Sequence, residues 1–164
     1  MASDPSAPDA WSRHLSHALR AVRRARQLSA IEVARRMGLP RRTYGFFEAG
    51  GGCMNIARIM EFARVTESDP YAIVASVMIG SPALAVRTMD NKILMAFAIL
   101  LQEFNADVGD DVRQVETSAV ISAFSAAFKS FSNAAAARSE NSSTEWLNAG
   151  ASKLGLPRRT SEDV

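Results

Sequence analysis

The chain has 164 residues, 48% hydrophobic and 22% charged, which supplies one domain with a substantial core or two small ones. A single cysteine, Cys53, excludes an intramolecular disulfide framework and a Cys-rich zinc site, and the longest apolar run, residues 93–101 (ILMAFAILL), is far short of the ~20 residues that span a bilayer. The formal net charge of +2 conceals an asymmetry: residues 1–66 carry 11 Arg, no Lys and 5 acids, a net of +6, whereas residues 67–164 carry 8 basic and 12 acidic residues, a net of −4. The first half therefore suits a polyanion, and arginine suits planar, bidentate contacts to phosphate or guanine. No charged segment followed by an apolar run stands at the start, so no signal peptide and no membrane association are expected, and the location expected is cytoplasmic.

In chain order, residues 1–8 (MASDPSAP) are polar, contain proline and read as a disordered arm. Asp9 is placed to cap a helix over 10–27, in which Trp11, Leu15, Ala18, Leu19 and Val22 recur at helical spacing and arginines fill the other faces. Ser29, with Glu32 three residues on, forms a capping box for a helix over 30–37 whose Ile31, Val33, Ala34 and Met37 face inward. Gly38 ends it, Leu39 plugs a tight turn and Pro40 opens a third helix over 40–48. There Tyr44 and Phe47 face the core, while Arg41, Arg42, Gly45 and Phe46 fall on the other side. After Gly50-Gly51-Gly52, a fourth helix over 55–65 turns Ile56, Ile59, Phe62 and Ala63 inward. Ser68 or Asp69 caps a fifth, opened by Pro70 and carrying Tyr71, Ile73, Val74 and Val77, and Gly80-Ser81-Pro82 closes the domain.

The second half also reads as helical. Asp90 is placed to cap a helix over 91–107 that is apolar nearly all round, and a long helix over 110–138 carries Val112, Val115, Ile121, Phe124, Phe128 and Phe131 as a stripe. A short helix over 144–154 follows. Two such helices cannot hide this much apolar surface alone, so packing against a second copy is the economical solution. The residues expected at that interface are Ile93, Phe97, Leu100, Leu101, Phe104, Ile121, Phe124, Phe128 and Phe131. The fold class expected is all-α: a five-helix domain over 9–80, a helical dimerisation domain over 83–156 and a polar tail over 157–164. The hexapeptide GLPRRT occurs at 38–43 and again at 155–160. Gly-Leu-Pro is common helix-ending punctuation and no useful helix can follow Thr160, which favours coincidence or a basic tail over a second contact with nucleic acid.

Residues 19–73 resemble the Cro/repressor-type, or XRE-like, helix-turn-helix family. The resemblance rests on Arg23, Leu28-Ser29, Glu32, Val33-Ala34, Gly38 and Glu48-Ala49-Gly50, continues through Phe62-Ala63 and Ile73 without a gap, and covers about a third of the chain. It departs from the family at Ala30 (often Gln), Pro40 (often a capping Ser or Thr), Met54 (often Pro) and Thr66 (often Leu), and in carrying Gly45 inside the third helix. What the resemblance implies is a sequence-specific transcription regulator, more often a repressor, binding double-stranded DNA as a homodimer on an inverted repeat. Arg41 and Arg42 would read bases from the major groove, with Gly45 allowing close approach and Phe46 pressing on a thymine methyl. Ser29, Arg35, Arg36 and Thr43 would contact phosphates, and Arg23 would pair with Glu48 as structural support.

No enzyme is expected. His14 and His17 lie on one helix without nearby carboxylates, Cys53 has no histidine partner in sequence, and no Walker-type or dinucleotide glycine motif occurs. No cofactor and no metal are expected. Two rival readings remain for the second half: Met95, Phe97, Phe104, Phe124 and Phe128 lining a ligand pocket, or the helices binding a partner protein, as in an antitoxin.

Overall fold

A computed structural model describes residues 7–52, 54–136, 150, 151, 153 and 154. Over 7–136 the chain forms eight α-helices, and no strand occurs among the described residues. They are α1 (Ala7–Ala25), α2 (Ala30–Arg36), α3 (Arg41–Glu48), α4 (Ile56–Val65), α5 (Pro70–Met78), α6 (Pro82–Thr88), α7 (Ile93–Val108) and α8 (Thr117–Ala136), with a 3-10 turn at Gly109–Gln114. The chain divides into two compact units between Ala96 and Phe97, inside α7. None of these helices is long and apolar enough to cross a membrane.

In the first unit Leu15, Ala18, Leu19 and Val22 form a buried stripe on α1 that meets Val33, Tyr44, Phe47, Ile59, Phe62, Ile73 and Val77. α1 starts at Ala7, so Ala7 and Pro8 are helical rather than part of an arm, and Asp9 lies inside the helix instead of capping it. Pro8 is compatible with that start, because a first-turn residue has no N–H partner to lose. α1 stops where Gln27 takes a left-handed conformation (φ 56°).

Side-chain caps fix the next starts. The Ser29 hydroxyl accepts the Glu32 N–H at 3.1 Å, but the reciprocal half of the expected box is replaced: the Glu32 carboxylate takes a hydrogen bond from Arg36 one turn on. Gly38 (φ 64°) ends the α2 segment, and Pro40 occupies the cap position of α3 rather than its first turn. Asn55 caps α4 by accepting the Arg58 N–H. Asp69, fully buried, caps α5 through one carboxylate oxygen on the N–H groups of Tyr71 and Ala72, and its other oxygen accepts the Met95 N–H in the first turn of α7.

Three inward expectations fail: Trp11, in the stripe expected on α1, is 46% exposed, and two more lie on α2 and α4. Ile31 is 58% exposed, because Val33 and Ala34 set the buried face of this short helix and Ile31 lies about 200° round from Val33. Ile56 is 46% exposed because, as the first residue of α4, it overhangs the end of the core.

A sixth helix, α6, forms where the chain was expected to leave the domain. It buries Ala85 and Thr88 and packs on α1 and α5, so the first unit runs beyond Gly80-Ser81-Pro82. Asp90 does not cap α7; its carboxylate pairs with Arg26, and the Asn91 side chain accepts the Ile93 N–H instead.

The second unit contains the rest of α7 and α8. The expected single helix over 110–138 is two elements: Gly109 is left-handed (φ 53°), residues 109–114 form the 3-10 turn, and Val115 is extended. Val112 and Val115 consequently leave the stripe. Ile99 is fully buried and is the one large residue of α7 covered this way; a Cβ at Gly150 would collide with its side chain, and Ala151 beside Gly150 is buried too. Of the helix expected over 144–154 only Gly150, Ala151, Lys153 and Leu154 are described, and the second GLPRRT copy and Cys53 lie outside the described residues.

Candidate nucleic-acid interface

α3 has one locked face and one open face. On the locked face Tyr44, Phe47 and Glu48 are buried, and the Phe47 ring meets Tyr44 and Phe62 edge-on at centroid distances of 6.3 and 6.2 Å. Arg23 of α1 grips Glu48 with both arms of its guanidinium: Nε donates to Oε1 at 2.6 Å and Nη2 to Oε2 at 3.3 Å. Its Nη1 donates to the Leu28 carbonyl at 3.0 Å, which ties the end of α1 to the lead-in of α2. The Tyr44 hydroxyl, one helical turn before Glu48, donates to Glu48 Oε1 at 2.7 Å, a third bond to the same carboxylate that the sequence reading did not assign.

Burial alone would raise the Glu48 carboxyl. The hydrogen bonds from Arg23 and Tyr44 outweigh it and hold the group below the ordinary carboxylate range. Burial and the adjacent Glu48 charge push the Tyr44 hydroxyl well above its ordinary value, and the bond to Glu48 raises Arg23 further. α3 is thus fixed by a charged, fully hydrogen-bonded triad of low exposure.

The open face carries Arg41, Arg42, Gly45 and Phe46, all exposed. Neither Arg41 nor Arg42 makes a hydrogen bond or ion pair to the described residues. Pro40 gives α3 no side-chain cap, so the first-turn N–H groups add a partial positive charge beside the two guanidiniums. A Cβ on Gly45 would meet no atom of the described residues within 4 Å, so no contact among them requires glycine there. Phe46, 60% exposed, lays its ring over Gly51; a Cβ at that position would stand 2.5 to 2.6 Å from three ring carbons. The missing Cβ of Gly51 therefore makes room for this aromatic.

The expected phosphate ligands divide. Ser29 is exposed and uses its oxygen as the α2 cap, leaving its O–H free to donate. Arg35 is exposed and unpaired among the described residues, and Thr43 is half-buried. Arg36 is engaged with the Glu32 carboxylate and the Val65 carbonyl, which leaves it the least available.

In the second unit Phe97, Leu100, Leu101, Phe104, Ile121, Phe124, Phe128 and Phe131 are 40–61% exposed. Phe97 and Phe124 are in ring contact at 5.8 Å, as are Phe128 and Phe131 at 6.1 Å. Ile93 is half-buried and belongs to the first unit. No family model, curated protein or solved structure matches this chain.

Proposed function

We propose that the protein is a sequence-specific DNA-binding transcription regulator in which α2, the turn 37–40 and α3 act as a helix-turn-helix and α3 enters the major groove. The observation that carries this reading is the division of α3: a face immobilised by Arg23, Glu48, Tyr44 and Phe47, and an opposite face of two arginines unpaired among the described residues, a glycine and an exposed phenylalanine. Rigid support beneath unpaired planar donors is what bidentate recognition of guanine needs, and each such pair contributes roughly 1–3 kcal/mol of discrimination. Arg41 and Arg42 are assigned to bases, Arg35, Ser29 and Thr43 to phosphates. Arg36, held by Glu32, contributes mainly through long-range attraction.

The apolar face of α7 and α8 supports homodimerisation, with two copies of α3 reading an inverted repeat and repression as the mode of action. A partner protein on the same face is the second reading, favoured by the same exposed side chains. Selection of bound sequences from a random duplex pool, followed by affinity measurement for Arg41→Ala and Arg42→Ala, tests the assignment. Both variants should keep wild-type helicity and lose specific binding. Wild-type affinity in both would remove the reading.

A further inference from the structure

The basic side chains from His17 in α1 to Arg26 just beyond its end fall into two groups. Arg23 is spent on Glu48 and Leu28, and Arg26 on the carbonyls of Thr66 and Glu67 and the carboxylate of Asp90. His17, Arg20 and Arg24 are exposed, and none makes a hydrogen bond or ion pair among the described residues. They follow at i, i+3 and i+7, one face over two turns and about 10 Å of helix. With Ala21 between them and Pro82 of α6 opposite, they line an open cleft of about 440 Å³. Arg20 acts on Glu48 through space, but both oxygens of that carboxylate are already held by Arg23.

The like charges of Arg20 and Arg24 stand at i, i+4, where two cations repel on an isolated helix, and their fields add in the cleft that both border. Two guanidiniums supply forked donors matched to phosphate oxygens, while Ala21 and Pro82 offer an apolar floor and wall. Both guanidiniums border the same open cleft, so one small anion can meet both at once. We propose that this cleft between α1 and α6 binds a small anion bearing one or two phosphate groups, a site separate from the open face of α3 and independent of the DNA reading.

Inorganic pyrophosphate is the probe, titrated into the full chain by calorimetry and by thermal unfolding at ionic strength held constant with chloride. Saturable binding is expected. Arg20→Gln with Arg24→Gln should weaken it at least about tenfold. Arg20→Lys with Arg24→Lys should recover part of the loss, and Arg87→Gln, an exposed charge elsewhere on α6, should leave it unchanged. No saturable binding, or equal affinity in the Gln pair, overturns the site. So does a Gln pair that lowers the salt dependence of DNA affinity while the wild type ignores pyrophosphate, since that would assign the cations to a duplex backbone. Because the pyrophosphate readout contains no DNA, its failure leaves the α3 assignment standing, and loss of DNA binding in the Arg41 and Arg42 variants leaves the cleft standing.

Discussion

Gly45→Ala separates what α3 needs for folding from what it needs for recognition. Glycine inside an exposed helix costs about 1 kcal/mol relative to alanine, because the unfolded chain has more freedom to lose. The new Cβ would meet nothing within 4 Å, and Gly45 has an ordinary helical backbone, so no steric cost offsets that gain. The substitution should therefore stabilise by about 1 kcal/mol, a rise in melting temperature of roughly 4–8 °C for a unit of this size. If α3 lies against base edges, the same methyl group occupies space between Arg41, Arg42 and Phe46 and holds the backbone away from the groove. Specific affinity should then fall by about tenfold, equivalent to 1.4 kcal/mol, while non-specific, salt-driven binding is unchanged. Thermal unfolding followed by circular dichroism and fluorescence anisotropy with the selected site measure the two effects. A destabilised variant would refute the steric reasoning. A stabilised variant with full specific affinity would refute close approach at this position.

Arg23→Met leaves the Glu48 carboxylate buried with Tyr44 as its remaining partner and should cost about 3 kcal/mol in denaturant unfolding; a loss below about 1 kcal/mol would make the pair ornamental. Because the folded-state pKa of Glu48 is lowered, its contribution is fully present above the ordinary carboxylate value of 4.5 and disappears as pH falls through the folded value. Stability of the wild type should drop over that acidic window, and Glu48→Gln should flatten that part of the profile; an unchanged slope counts against the assignment. Asp69→Asn keeps an oxygen for the Tyr71 and Ala72 amides but can place an N–H₂ group opposite the Met95 N–H. Hydrogen exchange at Met95 should accelerate while the start of α5 stays protected, and unaltered Met95 protection would show that the carboxylate does not hold α7. Phe128→Glu, at a 61% exposed position of α8, should convert a dimer into a monomer in light scattering without loss of helix content; an unchanged mass would move the interface elsewhere.

The two-faced α3 was legible in the sequence because the signals that define it are local. Pro40 after Gly38-Leu39 marks its start, the three-residue spacing of Tyr44 and Phe47 marks its core side, and Arg41, Arg42, Gly45 and Phe46 follow by elimination. Ser29 and Pro70 marked helix starts for the same reason: a cap acts over two or three residues. What misled was a local signal with a different tertiary use. Gly80-Ser81-Pro82 looks like the end of a domain, yet Pro82 opens α6, and only contact with α1 and α5 makes seven residues a stable helix. Asp90 looks like a cap but is taken by Arg26, sixty-four residues earlier in the chain.

The amino-acid order by itself settled that this protein is built of helices, where most of them start, and which residues of the α3 segment are apolar enough to be inside. Those properties follow from periodicity, capping and backbone restriction, which operate within a turn or two. Tertiary structure alone decided that Asp69 serves two helix starts, that Gly51 leaves room for the Phe46 ring and that His17, Arg20 and Arg24 share a cleft with Pro82. Each of these joins groups on different elements or across a turn, and nothing in the spacing of residues along a chain encodes which distant atoms complete a hydrogen bond or wall a cavity.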